Sequence, residues 1–180
     1  LDLTHMLSGP YAAMMLADLG ADTIKVEPPR TGEATRALLA ADPKHSVDGM
    51  GAYFLTLNRN KRSVTLDLKH EEGRRVFYAL ARSADVVLYN FSAGVAERLG
   101  IHHGALGELN PRIVTCSITG FGETGPHKGW TSFDMVAQGT GGGMSITGLP
   151  GGEPMRSGIP IGDLGGGGGG VIGVLAALQA

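Results

Sequence analysis

Disulfides are excluded at once, because Cys116 is the only cysteine among 180 residues. A chain that cannot cross-link itself fits a reducing compartment, and a cytoplasmic location is expected. Cys116 lies in the apolar run RIVTCSITG and reads as a buried strand thiol. Charge of one sign is also missing. Fifteen Lys and Arg against 17 Asp and Glu leave a net charge of −2, so no broad basic field exists to draw nucleic acid. Long hydrophobic runs are lacking: glycines interrupt the one apolar stretch near the C-terminus, and no membrane span is expected. Among the six histidines no pair has helical zinc spacing, so no metal site is expected. Neither G-x-x-x-x-G-K-[ST] nor G-x-S-x-G occurs, which excludes a P-loop and a nucleophile elbow. GFGETG (120–125) matches G-x-G-x-x-G after a strand, but PHKGW follows where a helix should open. A nicotinamide cofactor is excluded on that ground.

What the sequence has in excess is glycine, 30 residues, roughly twice the usual share. These crowd into residues 139–173, and six run together at 165–170. The remainder alternates strand and helix signals. LDLTH reads as the end of a first strand, and SGPYAAMMLADLGAD as a helix with Pro10 in its first turn and Gly20 at its stop. DTIKVE is a second strand. Residues 28–51 read as irregular, with a short helix at 33–40. AYFLTLN and RSVTLDL are expected to be extended, flanking the basic turn NRNKR. A helix over KHEEGRRVFYALARSA places Val76, Phe77 and Leu80 on one face. DVVLYN and RIVTCSIT are further strands, with short helices between them, and the last helix is expected near Val171. Such alternation argues an α/β fold with a mainly parallel sheet, whose ligands gather beyond the carboxyl ends of the strands. The chain opens inside a strand and closes inside a helix, so it reads as part of a longer protein.

Two features carry candidate chemistry. The basic turn holds Arg59, Lys61, Arg62 and Lys69, which could recognise phosphates together with Arg30 and Arg98; a solvated turn is the plain alternative. The second is Asp163 in GIPIGDLGGGGGG. It could cap a helix, although seven residues separate it from Val171. Alternatively the glycines bare the backbone, so that N–H groups near a helix start keep Asp163 ionised and nucleophilic. The same donors could then hold the oxyanion formed when it attacks an acyl group.

Blocks along the whole chain resemble the class III coenzyme A transferases, which include formyl-CoA transferase and carnitine CoA-transferase, with α-methylacyl-CoA racemase as a relative. The blocks are LDLTHMLSGPYAAMMLADLGADTIKVEPP, NRNKRSVTLDLK, ADVVLYNFSAGVAERLG, LNPRIVTCSITGFGETGP, FDMVAQGTGG and GIPIGDL. The resemblance implies a Rossmann-like large domain with a mainly parallel sheet. Residues 1–180 would be its N-terminal, CoA-binding part, without the C-terminal part and the small domain, and subunits would interlock as a homodimer. It implies CoA transfer from an acyl-CoA to a carboxylic acid, with no tightly bound cofactor, no metal, and coenzyme A as substrate. Asp163 takes the place of the family nucleophile. CoA contacts fall on Leu7, Ser8, Leu66, Asp67, Leu68, Lys69, Asn90, Phe91, Ser92 and Arg98, with Ser132 and Phe133 near the acyl end. Formyl-CoA transferase has an arginine where Pro28 stands, and Arg30 would replace it. In racemases a histidine precedes the aspartate equivalent to Asp134; Phe133 holds that place here and cannot carry a proton, which favours transfer over racemisation. A non-catalytic CoA-binding relative is the other alternative, opposed by the presence of Asp163.

Overall fold

The computed structural model describes residues 1–180. Its centre is a parallel sheet built from β1 (Thr23–Glu27), β4 (Lys61–Thr65), β5 (Val86–Tyr89) and β6 (Val114–Ser117). β1 pairs with β4, and β5 with β6. The N-terminal residues join the two pairs: Asp2 bridges Lys25 on one side and Leu88 on the other, both in parallel. The amide of Asp2 donates to the Ile24 carbonyl (2.8 Å) and that of Leu3 to the Leu88 carbonyl (2.9 Å). Numbering these five extended segments along the chain, their order across the sheet is 3-2-1-4-5, the Rossmann order. The crossovers are α1 (Ser8–Asp18) and, on later connections, α3 (Glu71–Ala81) with α4 (Val95–Leu99) and α5 (His103–Leu109).

Alternation along β5 divides the core. Val87 and Tyr89 join Leu3, Val26, Phe77, Ala81, Ile101, Leu106 and Ile113 on one face, under α3–α5. Leu88 points to the other face and meets Ala12, Ala13 and Val171. Both faces are therefore covered, as parallel sheets require. The excursion after β1 is pinned by a fork: Arg36 donates from Nε and Nη2 to the two oxygens of buried Glu27, each at 2.7 Å. Burial opposes the charge on Glu27, but hydrogen bonds from Arg36, Ser63 and the Glu33 amide pull its pKa down to about 2. The excursion carries a small hairpin, β2 (Ser46–Val47) with β3 (Met50–Gly51). The expected helix at 33–40 shrinks to one 3₁₀ turn, Ala34–Arg36.

Three other expectations fail. AYFLTLN is not extended but forms α2 (Ala52–Leu57); its short apolar run suits either state, and packing on the excursion decides. A helix not foreseen, α6 (Asp134–Thr140), follows the loop after β6. The last helix, α7 (Ile161–Gln179), begins ten residues before Val171 and contains all six glycines. By length and composition α7 is long and apolar enough to cross a membrane, contrary to the sequence expectation. It packs one face on α1 and β6. That packing explains half of the glycine run. A Cβ on Gly167 would stand 2.5 Å from the Ser8 carbonyl oxygen and 2.9 Å from Tyr11 Cδ1. One on Gly170 would meet Ile118 Cδ1 at 3.1 Å, and one on Gly166 would meet Ser8 Oγ at 3.2 Å. Gly165, Gly168 and Gly169 have open space instead. Glycine's poor helix propensity is thus overridden where close approach is needed.

The two kinds of glycine should respond oppositely in the 180-residue chain. Gly167→Ala is expected to lose about 1–3 kcal/mol through overpacking. Gly169→Ala should gain roughly 0.5–1 kcal/mol from helix propensity. Denaturant midpoints measure both, and equal shifts would remove the close crossing as the cause.

Candidate active site

The sheet order reverses between the N-terminal segment and β5, so a crevice opens beyond their carboxyl ends. The two ends are tied together there. The His5 amide donates to Asn90 Oδ1 (2.8 Å), and Asn90 Nδ2 donates to the His5 carbonyl (2.7 Å). The His5 ring packs on Phe91, with centroids 5.6 Å apart. Burial and then the charge of Lys25 lower the His5 pKa and keep the ring neutral. Asn90 was expected to contact CoA; its amide is already committed to this backbone clamp.

A cleft of about 230 Å³ lies at this place, and Ser8, Asn90, Phe91, Ser92, Ser132, Phe133 and Asp163 all line it. Residues from α1, the β5 end, the loop before α6 and the first turn of α7 thus converge. Phe91 also lines a neighbouring groove of about 180 Å³, which holds Leu66, Asp67, Leu68 and Lys69 together with Pro28 and Leu99. Arg98, beside Leu99, and Arg30, two residues after Pro28, are exposed and line neither space. Leu7 also lines neither, standing at the start of α1. A larger cavity of about 500 Å³ lies at the opposite, amino ends of β1 and β5, between Ile24, Val86 and Leu178. It is mostly apolar, and Arg62 and Asp22 on its wall pair with each other.

The charges sort themselves in a way the sequence did not reveal. In the basic turn, Arg59 pairs with Asp18 and Arg62 with Asp22, each at 2.5 Å. Lys61 is buried against Asp2 (2.9 Å), and burial holds its pKa down to about 8. These three residues bind the turn to α1 and the sheet, so the phosphate-recognition reading does not apply to them. Arg30, Lys69 and Arg98 have no carboxylate within 4 Å.

Asp163 lies in the first turn of α7 and is half-buried. The expected ring of free donors is not there. The amides of Gly162 and Asp163 both donate to Asp134 Oδ1, at 2.8 and 3.3 Å. The Ile161 amide donates to Ile159 and the Leu164 amide to Pro160. All four first-turn donors are spent, so the helix start supplies no oxyanion hole. Nor does it hold the carboxyl at low pKa: burial, and then the charge of Asp134, push Asp163 up. Tyr53, on α2, escaped the sequence reading; burial and then the Asp163 charge raise its phenol pKa. Its position on a segment taken for a strand gave no cue. Cys116 is half-buried on β6, with its thiol raised by burial, as a strand thiol should be.

The sequence profile of CoA-transferase family III, meanwhile, matches residues 1–180. The chain belongs to that family. Among curated relatives, succinate–glutarate CoA-transferase of Agrobacterium fabrum is 44% identical over 167 residues, covering 91% of this chain and 42% of that protein. Formyl-CoA:oxalate CoA-transferase of Rhodopseudomonas palustris (strain HaA2) is 47% identical over 178 residues, covering 99% and 41%. The crystal structure of a CAIB/BAIF family protein from Brucella suis superposes with a TM-score of 0.91 at 42% identity, covering 98% of this chain and 47% of that one. The chain therefore spans less than half the length of each of these three proteins. The racemase alternative finds no support among them, and Phe133 directly precedes Asp134 as the N-cap of α6.

Removing the Asn90 clamp should be measurable apart from chemistry. Asn90→Ala is expected to cost about 1–3 kcal/mol, because it strands the His5 amide and carbonyl. Denaturant unfolding checks this, and a loss below about 0.5 kcal/mol would show that water replaces the clamp.

Proposed function

We propose that this chain carries the nucleophile and the CoA-binding surface of a CoA transferase that moves CoA from an acyl-CoA to a carboxylic acid. The observation that carries the reading is Asp163 itself. It is half-buried, raised in pKa, and opens on the cleft at the reversal of strand order, beside Ser8, Phe91, Ser132 and Phe133. A more basic carboxylate, less solvated, is a stronger nucleophile. It would attack the thioester carbonyl; the C–S bond breaks, CoA leaves as thiolate, and a mixed aspartyl anhydride remains. The thiolate then attacks the Asp163 carbonyl, releasing the donor as its carboxylate and leaving an aspartyl-CoA thioester. The acceptor carboxylate reverses the sequence through a second anhydride, and Asp163 is regenerated. No metal or cofactor enters these steps.

The CoA would run from the cleft past Phe91 into the groove of Leu66–Lys69, with Arg30, Lys69 and Arg98 meeting phosphates. Leu7, Ser8, Asn90 and Ser92 would frame its thiol end, and Ser132 and Phe133 the acyl group. The names of the relatives above carry succinate, glutarate or oxalate, and by that likeness the acceptor would be a short dicarboxylate, with Lys128 the one cationic residue lining the cleft. Residues 1–180 would form the N-terminal part of a large domain, with the small domain and a second, interlocked subunit completing the site in the cytoplasm.

The test uses the full-length parent protein. After incubation with a panel of acyl-CoAs and hydroxylamine, peptide mass spectrometry should find a hydroxamate on Asp163. Asp163→Ala should lose about 10⁴-fold or more of turnover and still bind CoA; retained turnover ends the nucleophile reading. Arg98→Ala should weaken CoA binding about tenfold, with the melting temperature unchanged. Unchanged affinity would remove Arg98 from the site.

A further inference from the structure

Asp134 is buried, and its carboxylate is fully engaged. Oδ1 accepts from the Gly162 and Asp163 amides. Oδ2 accepts from Gln138 Nε2 at 2.7 Å, one turn further along α6. Gln138 is also buried, and its amide grips the approach to α7 at two points. Its Oε1 accepts from the Ser157 amide at 2.7 Å, and Nε2 reaches the Ile159 carbonyl at 3.4 Å. The two side chains thus hold backbone on either side of Pro160, where no i→i−4 bonds could do so. The helices are in close contact at this point. A Cβ on Gly162 would lie 2.9 Å from Ala137 Cβ and 3.1 Å from Asp134 Oδ1.

We propose that Asp134 and Gln138 are positioning residues, which together clamp the first turn of α7 and the segment leading into it so that the Asp163 carboxylate faces the cleft beside a second carboxylate. The inference rests on Asp163 being the nucleophile. It gives Asp134 two separable duties. Its oxygens orient the turn, and its charge adds to burial in disfavouring ionised Asp163. Gln138 has only the first duty, since it is neutral. The other titratable groups near Asp163 are Tyr53 on α2 and Lys128 on the loop before α6. α1 brings Tyr11 and β6 brings Cys116, against Gly167 and Gly170 respectively.

The two duties predict different signatures in the full-length parent protein. Gln138→Ala should lower kcat about tenfold or more, leave KM for the acyl-CoA within about twofold, and keep the acidic limb of the pH profile in place. Asp134→Asn removes the like charge that disfavours ionised Asp163. Its pKa falls, and the acidic limb moves to lower pH. Asp134→Asn also sets two donors against each other at Gln138. That mismatch should lower kcat; Asp134→Asn/Gln138→Glu restores the donor–acceptor match between the two side chains, at the loss of the long contact to the Ile159 carbonyl, and should recover part of the kcat. The pH dependence of hydroxamate formation on Asp163 is read in parallel. Its appearance in the unaltered protein tests the nucleophile; its displacement to lower pH in Asp134→Asn tests the charge duty, and the kcat of Gln138→Ala tests the clamp. Should Asp134→Asn fail to fold, Gln138→Ala still decides. A kcat equal to the parent's in Gln138→Ala overturns the proposal, as does an unshifted acidic limb in a folded Asp134→Asn.

Discussion

The backbones of α1 and α7 cross so closely that no Cβ can stand between Gly167 and the Ser8 carbonyl. Everything at the candidate site depends on that approach. α1 leaves the N-terminal strand segment directly above the reversal of strand order, with Ser8 as its first residue. α7 laid against it brings its own first turn to the same place, and Asp163 with it. A larger residue at 167 would push α7 off α1 and carry Asp163 away from the strand ends, while one at 166 or 170 would press on the Ser8 and Ile118 side chains. The puzzle of an aspartate set before six glycines therefore has a packing answer for three of them. The other three carry no such reason within this chain.

The electrostatics follow from the same geometry. A carboxylate at a bare helix start would be stabilised by the unpaired amides and the helix dipole. Here a second carboxylate, Asp134, has taken those amides. With those amides spent, partial burial and then the neighbouring negative charge decide the state of Asp163 and push its pKa up. An arrangement that looks built to make an inert anion instead makes a basic one. The nearby buried pairs have the opposite character. Asp2 with Lys25 and Lys61, and Glu27 with Arg36, are locked charges that hold strand ends and the long excursion in register.

Much of this was legible in the sequence. The alternation of strands and helices carried the α/β architecture, and the resemblance to class III CoA transferases, not any spacing, named Ser8, Asn90, Phe91, Ser92, Ser132, Phe133 and Asp163, which line one cleft. What was illegible has common physical causes. α2 was hidden because a short run with five apolar residues in six fits either period. α6 was hidden in a glycine-rich stretch, and with it the partnership of Asp134 and Gln138, although the i,i+4 spacing of two hydrogen-bonding side chains was there to be read. The start of α7 was misread because propensity counts against glycine, whereas the fold counts the distance between backbones. The basic turn was misjudged because its acidic partners, Asp2, Asp18 and Asp22, lie 40 residues or more away in the chain.

The glycine run also bears on the order of assembly. Relative to alanine, six helical glycines cost on the order of 6 kcal/mol, and helix nucleation is unfavourable before any propagation. α7 therefore has no means of forming ahead of its seat. The sheet, α1 and α6 must be in place before the helix can coil against them. Asp163 is then among the last groups to reach its position, and a half-folded chain does not present its carboxylate at the strand ends.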